Sequence, residues 1–370
     1  MAQQERADNG PVRRTGPITL AELTAGLIWP TLLRAAALSI QPPRMLLGIA
    51  TAIGLWAVAT VWDWVIGWFG SASVASGFVW GIRDGWVEAG GALLGGRFVE
   101  SLGTLAAACV TAPLDAVSQR PFVVALALLL LAPVWAIGGG ALSRTIAVDV
   151  AGHMNLSPRA AVKYALSRGF SLTSALLIPL VAMALLVFLL KIVGWVLLSV
   201  PYLNVVGAVL YGVLIVLGFG LILLGVGFVL GQGMLVPAVA VEGTDAVDAV
   251  QRIYAYLLGR PGRALLYIAL AVVQALFVIG IAAWFIGAAG EATQALAGSW
   301  LPEEKRAALF GPASETVAGQ VLGVWNLVLA VLLFGFMISF HFATTTIVYL
   351  LLRRVNDEQD VHDVWMPGGT

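Results

Sequence analysis

Charge is what this chain has least of. Asp, Glu, Lys and Arg make up 11% of its 370 residues while 60% are hydrophobic, against about 25% charged residues in a typical soluble domain. That is too little polar surface to face water around so much apolar chain, so composition assigns it to a bilayer. The charges also cancel, 20 basic against 20 acidic. Without a basic stripe a nucleic-acid partner is not expected, because such affinity comes mainly from Lys and Arg neutralising phosphates. The single cysteine, Cys109, excludes an intrachain disulfide or a Cys-built metal site and reads as a buried structural thiol.

Catalytic signatures are missing too. His153, His341 and His362 are far apart in sequence and give neither a metal-binding i,i+4 pair nor a Ser-His-Asp arrangement. The stretch GVGFVLGQG at 225–233 has no strand before it, and its Gly227 and Gly231 have the small-xxx-small spacing of helix packing rather than that of a phosphate loop. No cofactor, metal or enzymatic activity is called for.

Long apolar runs are present in abundance. A spanning helix needs about 20 mostly apolar residues, and six segments qualify, near 45–69, 121–147, 172–199, 203–240, 263–289 and 319–352. Residues 1–16 read as a disordered polar tail. An amphipathic helix follows, with Thr19 and Glu22 at capping-box spacing and Leu20, Leu23 and Leu27 on one side. Glu22, Pro30 and Arg34 interrupt that stretch, so it is not read as a cleaved export signal. With both termini in the cytoplasm, fourteen Lys and Arg fall inside and five outside, the bias expected of a bacterial inner-membrane protein. Trp62, Trp64, Trp68, Trp80, Trp86, Trp195, Trp284 and Trp300 then gather at the outer boundary, where indoles are favoured.

One phrase recurs. Arg44-Met45-Leu46-Leu47-Gly48-Ile49-Ala50 matches Arg263-Ala264-Leu265-Leu266-Tyr267-Ile268-Ala269, with a weaker copy at Ser174-Ala175-Leu176-Leu177-Ile178. Each stands at the start of an outgoing helix and follows an amphipathic segment. The second of these segments opens at Ser157-Pro158 and the third near Thr244. The sequence therefore predicts an all-α polytopic membrane bundle: six transmembrane helices in three repeated units of about 17–152, 153–243 and 244–355, each an amphipathic helix plus a helical hairpin. Together they form one integral membrane domain over 17–355. Residues 70–120 and 290–318 are expected as outer loops, mildly acidic overall, the first with enough apolar residues for interfacial or re-entrant helices and enough glycine to bend between them, and 356–370 as an acidic flexible tail in which Val364-Trp365 is a candidate partner anchor.

The stretch MLVPAVAVEGTDAVDAVQRIYAYLLGRPGRALLYIALAVV, 234–273, resembles the recurring element of a broad group of bacterial six-span membrane proteins. In that group a returning helix ends in an apolar-Pro-acidic-Gly phrase, an amphipathic helix follows, and a Gly or Pro break leads into the next span. The group includes the membrane domain associated with glycerophosphodiester phosphodiesterases, and stand-alone relatives of unknown function. The resemblance covers most of 20–355 as a pattern. It implies no catalytic residue here, since the phosphodiesterase is a separate soluble barrel of about 250 residues, and it pulls slightly toward lipid handling.

Ionisable groups at mid-membrane cost roughly 3 kcal/mol or more. Asp63 and Lys191, near the outer boundary, are read as snorkelling. The inner ends of the three returning helices read GGGALSR, GQGM and SFHFATTT, and in a three-unit bundle they occupy equivalent positions. Ser143, Arg144, Gln232, His341, Thr344 and Thr345 are thus candidates for a polar vestibule in which Arg144 would suit a phosphate or carboxylate and His341 a proton. The same residues also read as packing, with Gly and Ser permitting close helix approach, Thr bonding back to its own helix and Arg144 sitting in the headgroups. Two functions follow. A non-enzymatic scaffold or accessory module would organise membrane lipids or a protein partner through the outer loops or the C-terminal tail. A small-solute or lipid transporter would use the vestibule.

Overall fold

The computed structural model describes residues 29–70, 75–152, 156–311, 316–360 and 362–365. The predicted amphipathic stretch at Thr19–Leu27, the polar tail, His153 and Glu315 lie outside these. The chain is all helical, with no strand among the described residues. After a turn of 3-10 helix, Trp29–Leu33, come α1 (Arg34–Ser39), α2 (Pro42–Gly67) and α3 (Ala75–Leu94). These lead into α4 (Phe98–Gln119), which carries a π-helical stretch at Ala107–Thr111, and α5 (Pro121–Val150). The chain continues with α6 (Pro158–Ser167), α7 (Gly169–Ser199), α8 (Leu203–Glu242) and α9 (Ala246–Gly259), then α10 (Pro261–Gly298), α11 (Glu303–Phe310) and α12 (Val317–Asp357).

Local chemistry sets the boundaries. The Ser157 side chain accepts from the Ala160 amide with Pro158 at the first helical position, so α6 opens where the sequence reading places it. Asp245 caps α9 by accepting from the Asp248 amide, and Thr316 caps α12 by accepting from Gly319. Gly243 closes α8 at φ +64°, a conformation that favours glycine. The long helices α2, α7 and α10 each begin within two residues of a short helix, after Ile40–Gln41, Arg168 and Arg260.

Among the described residues seven helices are long and apolar enough to cross a membrane: α2, α4, α5, α7, α8, α10 and α12. This is the composition and build of a multi-pass membrane protein. The helix beyond the six read from sequence is α4, within the stretch expected as an outer loop. Helices α3 and α4 form a hairpin, with α3 packed along α10. Asp63 near the end of α2 accepts from the amides of Ala75 and Ser76 at the start of α3 (2.9 and 2.8 Å). Farther along, Arg83 lies beside Gly287 and Gly290 of α10, and seven residues later Gly90 meets Gly280 backbone to backbone. The Ser101 hydroxyl in α4 donates to the Ala89 carbonyl (2.7 Å). Arg83, Asp84 and Glu88 give α3 a charge density that hides a full-length helix from a hydropathy reading.

The remaining registers tie the bundle together. Helix α2 runs antiparallel to α5, with Thr51 against Gly138 and Gly54 against Val134. Phe342 of α12 fills the space over Gly139 of α5, and Gly335 of α12 lies on Gly48 and Ile49 of α2. Helices α7 and α8 form a hairpin, Gly207 against Leu197, turned by Val200, Pro201 and Tyr202. The two ends of the bundle differ. Around 136–151, 231–242 and 333–355 almost every residue is buried, wrapped by α1, α6 and α9, whereas the opposite halves of α7, α8, α10 and α12 expose many apolar side chains. A helix apolar on all sides needs lipid or protein around it.

Candidate functional site

The wrapped end contains all six residues of the predicted vestibule, in differing settings. Ser143, Arg144 and Thr344 are buried, His341 and Thr345 half-buried, and Gln232 exposed. His341 packs its ring 5.3 Å from Trp135 and 5.1 Å from Phe342, centroid to centroid. The Thr345 hydroxyl donates to the His341 carbonyl on its own helix (2.8 Å). A Cβ on Gly233, next to Gln232, would lie 2.7 Å from the Thr345 methyl and 3.5 Å from the His341 ring. The structure therefore brings His341, Thr345 and the Gln232 stretch together. Arg144 instead reaches Ala240, seven residues or about 10 Å farther along α8. It donates to the Ala240 carbonyl (3.2 Å) and to that of Trp365 (2.5 Å), with its guanidinium 4.8 Å from the centre of the Tyr164 ring.

Between these groups the helices are in close contact. Any side chain at Gly138, Gly139 or Gly140 would collide with Thr51, Phe342 or Leu172, each within 2.6 Å of the added Cβ. Glycine here lets the helices approach to direct side-chain-to-backbone contact. Within this packing, the hydroxyls of Ser143, Thr344 and Thr346 have no hydrogen-bond partner among the described residues.

The polar network not anticipated from the sequence lies at the same end. Arg353, 1% exposed, donates to Glu242 (2.7 Å), which also accepts from the Tyr349 hydroxyl (3.0 Å). Tyr256 of α9 donates to Asp357, and Arg252 lies 3.8 Å from the same carboxylate. Burial, reinforced by that carboxylate, holds the Tyr256 hydroxyl protonated well above the ordinary phenol range. Tyr164 is shifted the same way by burial, partly opposed by Arg144 and Arg168. Arg44 donates to Asp149 (2.7 Å) and to the Leu38 and Thr145 carbonyls (2.9 and 3.3 Å). The one local signal for this network was the acidic residue closing VPAVAVEG; its partners lie more than a hundred residues away.

The tail beyond α12 joins the network rather than leaving the bundle. Val364 is buried, and Trp365 lies over Gly243, where an added Cβ would be 2.8 Å from the indole. Elsewhere, a cleft of about 340 Å³ between α3, α10 and α12 holds Arg83, Asp84, Glu291, Gln294 and Asn326. No group of three or more metal-ligating side chains occurs among the described residues. Comparison with protein-family models, curated proteins and solved structures found no match.

Proposed function

We propose that this protein is a non-enzymatic module of a bacterial inner membrane, holding a protein partner or local lipids in place, with both termini in the cytoplasm. The observation that carries this reading is the closed wrapped end, where glycines bring α2, α5 and α12 into contact and Phe342, Leu172 and Thr51 occupy the space a solute would need. Resemblance of 234–273 to the phosphodiesterase-associated group supports a membrane-organising role. The triplicate plan is supported by the recurrence of a short helix, a break of one or two residues and a long helix at α1–α2, α6–α7 and α9–α10. The α3–α4 hairpin is an insertion of two further legs in the first unit, and an even number of crossings keeps the termini on one side.

The partnerless hydroxyls of Ser143, Thr344 and Thr346 favour a second reading, a transporter that opens at this end and wets them. Purification of the tagged chain from native membranes separates the two. A scaffold brings down a stoichiometric partner or a defined lipid, and His341→Ala leaves abundance and retention unchanged. Loss of a solute flux in a normally folded His341→Ala variant overturns the scaffold.

A further inference from the structure

Helix α12 ends at Asp357, and the chain turns back on itself through Glu358, a non-glycine residue at φ +58°. That left-handed conformation is disfavoured for a side-chain-bearing residue, and it aims the tail at the bundle. What the bundle then contacts is mostly main chain. Arg353 donates to the Asp360 carbonyl (2.8 Å) and the Asp363 carbonyl (2.5 Å), and Arg144 to that of Trp365 (2.5 Å). Both arginines are almost fully buried. The Trp365 ring lies 5.8 Å from the Arg144 guanidinium, 5.6 Å from that of Arg168 and 6.4 Å from the Tyr164 ring, against the bare surface of Gly243. The tail's acidic side chains contribute little to this. Asp360 pairs with His362 in the open.

We infer that the ends of α5, α8 and α12, with α6, form a peptide-docking site, and that Asp360–Trp365 of this same chain is its displaceable ligand. The site reads carbonyls through two fixed guanidinium forks and one indole through a basic and aromatic cradle. A peptide held this way needs a turn, which the Asp363 amide closes here by donating to the Asp360 carbonyl (3.1 Å), and an aromatic residue, with little dependence on its charge. Displacement is feasible because residues 358–360 and 362–365 form no helix or strand, Val364 and Trp365 are the side chains seated among the described residues, and Trp365 is left 41% exposed. While it is seated, any partner or anion approaching Arg144 must compete with it. The inference is independent of whether the protein is a scaffold or a transporter.

The test uses the full chain in lipid nanodiscs, with Cys109→Ala as background. Val364→Cys should react with maleimide at least tenfold more slowly than Gln359→Cys, and adding Trp365→Ala should bring the two rates within twofold, with helicity and melting unchanged. A fluorescent peptide of residues 358–365 should bind the Trp365→Ala chain and not the wild type, and the same peptide with Ala for its tryptophan should bind neither. Equal labelling of the two cysteines with Trp365 present overturns the docking. Peptide binding alike to both chains, or to neither, overturns the recognition site.

Discussion

Gly48 and Gly335 touch through their main chains, so that a Cβ on Gly48 would lie 2.2 Å from the Gly335 carbonyl oxygen. A backbone oxygen cannot swing aside as a side chain can, so a methyl group there must push α2 and α12 apart. Gly48→Ala should therefore destabilise the bundle by about 1–3 kcal/mol, the usual cost of overpacking, measured by denaturant or SDS unfolding. Gly212→Ala is the control: nothing lies within 4 Å of an added Cβ there, and its unfolding free energy should be unchanged or higher.

Arg44 is 5% exposed and its partner Asp149 26%. Removing one member of a fully buried pair costs about 3–5 kcal/mol. The partly wet carboxylate lowers this, so Asp149→Asn should cost about 1–3 kcal/mol. A double-mutant cycle with Arg44→Gln should return a coupling of at least about 0.5 kcal/mol. Additive effects would mean that Arg44 is held by the Leu38 and Thr145 carbonyls alone.

Tyr256 gives the protein an alkaline limit. Burial first, then its hydrogen bond to Asp357, raises its folded-state value above the ordinary phenol value of about 10. A group whose value is raised on folding stabilises the protein below its unfolded value, and that contribution disappears as pH climbs through the folded one. Tyr164 and Tyr254 are shifted in the same direction. Stability should hold to about pH 10 and decline above it. Tyr256→Phe should cost about 1–2 kcal/mol at neutral pH and show a shallower decline between pH 9 and 12 in pH-resolved melting.

How far these features were legible depends on their range in sequence. Ser157-Pro158 marks the start of α6 because a cap acts over three residues, and apolar runs reveal α2, α5, α7, α8, α10 and α12 because hydropathy adds up locally. Helix α3 was hidden by Arg83, Asp84 and Glu88, whose setting comes from α10 and α12. Arg144 reads in the sequence as a vestibule residue or a headgroup contact; its partners Ala240 and Trp365 are 96 and 221 residues away, and no spacing rule reaches so far. The tail follows the same rule: its composition is acidic, while the bundle contacts the carbonyls of Asp360, Asp363 and Trp365, which composition does not register.

The position of the α3–α4 turn is where sequence and structure part most testably. Gln294 of α10 donates to Asn326 of α12 (3.4 Å), Gly290 faces Leu329, and Gly335 lies on Gly48 and Ile49 near the start of α2. Following these registers, Gly280 falls near the level of residues 339–340 of α12 and of Arg44. Gly90 touches Gly280, so the turn at Gly95 and Gly96 lies at the end of the bundle where α2 begins, some 30 Å along α3 from Ala75 at about 1.5 Å per residue. A membrane-impermeant maleimide should therefore label Gly95→Cys, in a Cys109→Ala background, from the same side as Gln359→Cys and the opposite side to Glu303→Cys. In inverted vesicles the first two should react and the third should not. Labelling of Gly95→Cys together with Glu303→Cys would return 70–120 to the outer face, and would mean that α3 and α4 reach their depth beside α10 without crossing the bilayer.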